Sequence, residues 1–412
     1  MQNYNNKLFL LLYISLFLGF ILNENLNYGS YQDWVNTTLV IESFSRNLTE
    51  TLLNYEAYGH RHSPVYLIFL SFFHKLGLSF DLIRLIHLHL CLSLVLIFYK
   101  CLKLKFNQTD KKILKILALI VFLSPTFRSI SIWPDTRLPG LIFFTISVYY
   151  FLKFLKNSDY KYVWLCSIWL IISSYVSPNF SIFSFYYYFI FFKKLNFIKF
   201  YKLIFFNLVS CIPILYYLFF LDVNFLTAGK TPGLDGDIVS LNFNYSNKIL
   251  IISTIILFHL LPVVFYTIDY KKFFFFFKTK LPITAITLLP VFYFFDYNIK
   301  YTGGGVFFQL SQFLFDNNFL FFLVSLFSIS LLLFFSKASI NNFFIVFLLI
   351  LSNIQMTIYH KYYEPFVLII FFLLFKKINF QNFFNNKHSI LYLYLYSILF
   401  VVLRIAKNYF IV

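Results

Sequence analysis

Pro64-Val65-Tyr66-Leu67-Ile68-Phe69-Leu70-Ser71-Phe72-Phe73-His74 is the run whose reading decides how this chain is folded. It is apolar enough to enter a membrane but far short of the about 20 residues that a helical span needs. If it crosses, every later loop changes side. If it lies along the surface, the loops stay where the first helix puts them. The run sits inside Asn23 to Asp81, the longest segment between apolar runs. That segment opens with Asn27-Tyr28-Gly29-Ser30-Tyr31-Gln32-Asp33-Trp34. It reaches the run through His60-Arg61-His62-Ser63.

The rest of the chain supplies the context. Its 412 residues are 60% hydrophobic, 24% aromatic and only 12% charged, with a mean hydropathy of +0.75. A soluble domain carries about 25% charged residues. Half that charge, with apolar runs throughout, predicts an all-α polytopic membrane protein. No polar stretch is long enough to build a core of its own. Residues 1–412 are therefore expected as a single integral domain. The excess of Lys, Asn, Phe, Ile and Tyr reads as AT-rich coding bias. Cys91, Cys101, Cys166 and Cys211 fall in or beside apolar runs and form no CxxC pair, so neither a metal site nor a disulfide framework is indicated.

The apolar runs are 8–22, 82–104, 113–129, 138–154, 162–177, 180–192, 203–221, 249–268, 281–295, 319–335, 342–357, 365–375 and 389–406. They predict about 13 transmembrane helices, several of them short. With the N-terminus inside, the inside loops hold 22 of the 34 basic residues, among them Lys7, Lys103, Lys111, Lys112, Lys193, Lys194, Lys271 and Lys272. Of the 16 acidic residues those loops hold only Asp110, Asp159 and Asp269. The asymmetry holds loop by loop, as the positive-inside rule requires. It is lost if 64–74 crosses. The run therefore reads as a helix lying at the outer interface. Segment 35–55, with Val35, Leu39, Ile41, Phe44, Leu48 and Leu52 at helical spacing, reads as a second one. Helix 8–22 has no small-residue cleavage site after it and is expected to stay as an anchor. The formal charge of +18 is spread through short loops facing anionic headgroups. Nucleic-acid binding needs a contiguous basic surface and is not expected. The expectation is a multi-pass protein of the plasma (inner) membrane with a cytoplasmic N-terminus.

Polar chemistry then concentrates on the outer side. Asp33 lies about eleven residues beyond the first helix, beside Tyr31 and Trp34. Asp135 stands at the mouth of run 138–154, between Arg128 and Arg137. Two carboxylates on separate loops, each close to a helix end, can converge on one site. One would deprotonate an acceptor hydroxyl as a general base, and the other would orient the acceptor or hold a metal. Arg61, Arg84, Arg128, Arg137, Lys300 and Lys361 are candidates for binding a phosphate or diphosphate. Each also has a plainer role, snorkelling or pairing with an acid, as Arg84 would with Asp81. His60 and His62 offer a base or ligands, yet two histidines without a third ligand do not define a metal site. No cofactor is assigned, and a divalent metal is left open. Gly229-Lys230-Thr231 looks like the end of a phosphate-binding loop, but Phe225 stands where its first glycine belongs. Gly303-Gly304-Gly305 follows no strand and reads as a flexible loop, or as one that closes over substrate.

The first 155 residues resemble the GT-C superfamily of membrane glycosyltransferases, which use polyprenyl-phosphate-linked sugars, of the aminoarabinose- and mannosyltransferase kind. In that superfamily an acidic residue follows the first helix, then two interfacial helices, the second opening with a His-Pro-Pro-Leu-Tyr-like stretch. Here His62-Ser63-Pro64-Val65-Tyr66 stands in that place, followed by Lys75-Leu76-Gly77 and Arg84-Leu85. A second acid in the next outer loop is matched by Pro134-Asp135, ahead of Leu141-Ile142-Phe143-Phe144. Residues 156–412 share only the topology. The resemblance implies sugar transfer at the outer face to a glycan, lipid or protein acceptor. Asp33 would be the general base and Asp135 its partner. His60, Arg61, His62, Tyr66, Arg128, Arg137, Lys300 and Lys361 would contact substrate. The superfamily often has a second acid adjacent to the first, whereas Asp33 is followed by Trp34. Two other classes stay in view. A polymerase or ligase of lipid-linked glycans usually carries its large loop late in the chain. A transporter or flippase tends to show internal repeats and ionisable residues at mid-membrane.

Overall fold

The computed structural model describes residues 2–27, 29–59, 62–220, 243–299 and 303–410, and among them every regular element is helical. Its helices pack as two compact units, Met1–Leu241 with Phe400–Val412, and Asn242–Leu399. Among the described residues seven helices are long and apolar enough to cross a membrane, and an eighth if a bent pair counts as one.

The first unit begins with α1 (Gln2–Ile21). Next come α2 (Gly29–Arg46), α3 (Leu48–Leu53) and α4 (Pro64–Lys75). Segment 35–55, expected as one amphipathic helix, is the end of α2, then α3, then a 3-10 turn at Tyr55–Tyr58. The break falls at Asn47, whose side chain accepts the Glu50 N–H and starts α3. α4 has 12 residues, about 18 Å of helix, and falls short of a bilayer core of about 30 Å. It packs against α2. Its cap explains the serine in His62-Ser63-Pro64. Ser63 Oγ accepts from the Val65 N–H and donates to the Tyr175 carbonyl. Proline in that place has neither a hydroxyl nor an N–H.

Of the next two runs, 82–104 is one span as expected and 113–129 is not. α5 (Phe80–Cys91) and α6 (Ser93–Lys105) together make one 26-residue apolar helix. Run 113–129, expected as one span, is α7 (Lys111–Leu119), a 3-10 turn at Ile120–Leu123 and α8 (Pro125–Ile132), bent by 65°. The cause is local. Pro125 opens a new helix, and Ser124 caps it by accepting the Phe127 N–H at 3.0 Å. All eight residues of α8 are buried. α9 (Arg137–Asn157) packs along α10 (Tyr160–Val176). α11 (Ser184–Lys194), α12 (Phe197–Ser210) and α13 (Ile212–Phe220) follow. Phe197, Ile198, Phe205 and Leu208 on α12 are all exposed. So continuous an apolar surface suits lipid, not water.

The second unit is built on α14 (Tyr245–Thr267), with α15 (Tyr270–Tyr293), α16 (Gly305–Phe315), α17 (Phe319–Ala338) and α18 (Ile340–Leu351) beside it. α19 (Phe366–Leu374) is wholly buried, and α20 (Phe380–Asn385) precedes α21 (Ser389–Phe410). From Phe400 onward α21 belongs to the first unit. α15 starts eleven residues before the expected 281, because Lys271, Lys272, Lys278 and Lys280 ride on its first turns. An apolar-run reading stops at such lysines, although their stems can lie along a helix and carry the charge outward. The glycine run expected as a loop is a tied turn. Gly304 donates to the Ile358 carbonyl at 2.9 Å, and Gly303 has φ +84° with its carbonyl accepting from Gln309 Nε2 at 2.7 Å. A Cβ on Gly303 would lie 2.6 Å from the Ile358 oxygen. α16 follows directly, where a loop had been expected.

The three acidic residues assigned to the lysine-rich side share one job. Asp110, Asp159 and Asp269 are the N-caps of α7, α10 and α15, each accepting a backbone N–H from a lysine two or three residues on.

Candidate functional site

The C-terminal end of α1 and the two ends of the α8–α9 connection build the site. Asn23 takes a left-handed turn with φ 55°, and the Glu24 N–H returns to the Gly19 carbonyl at 2.8 Å. This aims the Glu24 carboxylate back across α1 at Arg128 on α8. Arg128 Nε and Nη2 each donate to it at 2.6 Å, and Nη1 and Nη2 also reach Ser15. The pair lies over Gly19, where a Cβ would stand 2.6 Å from Glu24 Oε2 and 3.1 Å from Arg128 Nη2. Trp133 Nε1 donates to the Glu24 carbonyl at 2.9 Å and ties the same corner together. Arg128, expected to meet a phosphate, is a buried clamp committed to Glu24. In the sequence nothing distinguishes Glu24 from any carboxylate following a helix.

The second carboxylate pair is different. Asp135 Oδ1 accepts the Arg137 backbone N–H and Nε, both at 2.8 Å, and Oδ2 accepts Nη2. This fork-on-fork pair fixes the guanidinium at the first turn of α9. Across from it, Asp33 Oδ2 on α2 lies 3.9 Å from the same Nη2. The structure brings Asp33 and Asp135 to one arginine, Asp33 from within α2 rather than from the loop expected for it. Their roles are unequal. The Asp135 side chain is 6% exposed and wrapped around Arg137, whereas that of Asp33 is 42% exposed. Only Asp33 presents carboxylate surface outward. α2 is held here by Ser30, Trp34, Thr37, Ile41 and Phe44, its buried stripe.

His62 joins this locus. Its Nδ1 shares a hydrogen bond of 3.1 Å with Thr136 Oγ1, between Asp135 and Arg137 in sequence. Its carbonyl accepts from Tyr55 Oη at 2.6 Å. Burial of Tyr55 pushes its phenol well above the ordinary value, so it stays a neutral donor. Tyr66 lies within reach of the Asp135 charge but is bonded inward. His87 Nε2 donates to the Ile130 carbonyl at 2.8 Å, which leaves Nδ1 as the acceptor for Tyr66 Oη at 2.5 Å. Tyr66 is therefore an internal strut between α4 and α5, not a surface contact. Arg84 bonds Asp81 at 3.0 Å, the plainer role foreseen for it.

The remaining expected residues divide simply. His60, Arg61 and Lys300 lie outside the described residues, as does Gly229-Lys230-Thr231. Lys361 belongs to the second unit, its ammonium 5.2 Å from the centre of the Tyr359 ring. Among the described residues no three His, Cys, Asp or Glu side chains stand close enough together to hold a metal ion. A cavity of about 560 Å³ opens on α2, lined by Tyr31, Trp34, Trp133 and Asn25 among others. Asp33 is not among its lining residues.

No family model matches the chain, and neither a curated protein nor a solved structure matches it.

Proposed function

We propose that this protein is a membrane glycosyltransferase that moves a sugar from a polyprenyl-phosphate donor to an acceptor hydroxyl at the extracytoplasmic face. The observation that carries the reading is Asp33: a half-exposed carboxylate beside an arginine that a second, buried carboxylate holds in place. Asp33 accepts the proton of the acceptor hydroxyl as its oxygen attacks the anomeric carbon. The bond from that carbon to the phosphate oxygen breaks, the configuration inverts, and the lipid phosphate leaves with the electron pair. Arg137, oriented by Asp135, steadies Asp33 and faces the charge that develops on the phosphate. His62, bonded to Thr136, orients the acceptor. Arg128 keeps α1 and α8 together and takes no part in donor binding.

The topology of this reading has the N-terminus in the cytoplasm of a plasma (inner) membrane and about 13 crossings, the shorter helices completing the seven long ones. α4 and the α2–α3 segment then lie at the outer interface, and the three capped lysine turns face the cytoplasm. The test is transfer of sugar from a polyprenyl-phosphate-linked hexose by purified protein in nanodiscs. Asp33→Asn should lower the rate by about 100-fold or more, the scale of a lost general base. An unchanged rate removes Asp33 from the chemistry and this mechanism with it.

One observation favours transport as a second reading. His259, in the body of the long apolar helix α14, bonds His360 through Nε2 at 3.0 Å. The Val306 N–H donates to His360 Nε2 at 3.1 Å, so the proton between the imidazoles sits on His360 Nδ1. Ionisable groups at such depth often serve an ion path. Proton-coupled solute uptake into proteoliposomes, abolished by His259→Ala, would favour transport. Uptake indifferent to that change would leave the pair a packing element.

A further inference from the structure

The cavity on α2 is set apart from the carboxylate site. Tyr31, Trp34, Val35 and Thr38 line it. They lie roughly 100–160° around the helix axis from Asp33 at 3.6 residues per turn. The volume of about 560 Å³ falls within the roughly 300–1,000 Å³ typical of ligand sites.

The lining chemistry selects among ligands. An anion finds no open positive charge there. Arg84 donates through Nη1 to Asp81 at 3.0 Å, through Nη2 to Asn23 Oδ1 at 2.9 Å and through Nε to the Ile132 carbonyl at 3.2 Å. Its face lies 3.8 Å from the Trp133 ring centre. Asp81, 82% exposed, balances the Arg84 charge, so the neighbourhood carries no net positive charge to draw an anion. A hydrocarbon chain is a poor match for the Asn23 and Asn25 amides and the Thr38 hydroxyl. What remains is a ligand with an apolar face for aromatic rings and hydroxyls for amides. Tyr31 is half-exposed and braced edge-on against Trp133 at 4.9 Å, and Trp34 is braced against Phe80 at 6.0 Å. The rings are thus fixed before any ligand arrives, which lowers the ordering cost of binding.

We infer that this cavity is a carbohydrate subsite for an uncharged sugar unit, one ring resting on Tyr31 with its hydroxyls on Asn23, Asn25 and Thr38. The inference stands on the cavity alone; as the place where a glycan acceptor anchors, it rests on the transferase reading above.

The test uses the full chain in nanodiscs, free of sugar-headed detergent, titrated with maltose, cellobiose and N,N′-diacetylchitobiose and followed by tryptophan fluorescence. At least one disaccharide should bind saturably with a Kd in the millimolar range. Tyr31→Ala and Thr38→Val should each weaken it by about 10-fold. Tyr31 is half-exposed, so its removal does not threaten folding, and the threonine change conserves shape. Asp33→Asn should bind the disaccharide as the parent does. No binding to any of the three up to about 50 mM, or binding that both variants leave unchanged, overturns the subsite. Tighter binding of glucuronic acid than of glucose would overturn its neutrality. Loss of transfer in Asp33→Asn with intact disaccharide binding separates the two ideas: the first reports on the reaction, the second on the cavity.

Discussion

The Glu24–Arg128 pair shows how far a residue's neighbours decide its work. Both side chains are largely buried, with 17% and 6% exposure, and each charge depends on the other. Removing one partner of such a pair usually costs far more than the pair itself contributes, because the survivor is left charged in a dry place. Glu24→Gln should therefore destabilise the first unit by about 3 kcal/mol. A lower thermal unfolding midpoint in nanodiscs would report it. The double change Glu24→Gln with Arg128→Met should recover most of the loss. A single variant as stable as the parent would mean that water reaches Arg128. Asp33 is governed by the opposite circumstance. It has an arginine neighbour at 3.9 Å but keeps much of its surface open. An ion pair that exposed contributes at most about 1 kcal/mol, so Asp33→Asn should impair transfer without unfolding the chain.

Among elements, the caps do most to fix where helices begin. Asp159 and Asp269 accept backbone and side-chain hydrogen bonds from Lys161 and Lys272, which hold both carboxyls below their ordinary 3.8. A carboxyl depressed by folding stabilises the fold above its unfolded value. That contribution disappears as the pH falls through the folded value. The unfolding midpoint should thus drop as the pH is lowered below about 4. The drop should be smaller in Asp159→Asn/Asp269→Asn, since asparagine caps a helix without titrating. An identical pH profile in the double variant would assign the acid sensitivity to other groups. The same local logic bends run 113–129 at Ser124-Pro125, and the bend carries Arg128 to Glu24. Hydropathy has no term for that, because a capped kink leaves the average composition of a run unaltered.

For the whole molecule, orientation is testable without knowing the substrate. Gln32 and Asn107 are exposed, on α2 and between α6 and α7. Of the four cysteines only Cys211 is exposed, so Cys211→Ser gives a quiet background. In intact cells an impermeant thiol reagent should label Gln32→Cys, and it should label Asn107→Cys only after lysis. The reverse pattern would invert the topology and move the proposed chemistry to the cytoplasm. The sequence by itself determined that the chain is helical and apolar enough for a membrane, since a few long apolar runs settle that by composition. It also placed Asp33 and Asp135 on separate segments near helix ends. Only the tertiary structure decided that the two meet at Arg137, that Asp135 is enclosed while Asp33 stays open, and that Arg128 and Tyr66 are spent inside the fold. The physical reason is the range of the interactions. Hydropathy and capping act within a turn or two of one helix, whereas a salt bridge or a hydrogen-bonded strut joins residues a hundred or more positions apart, as Arg128 joins Glu24 across 104. Which partner a charge finds depends on how helices pack, and no local stretch of sequence records it.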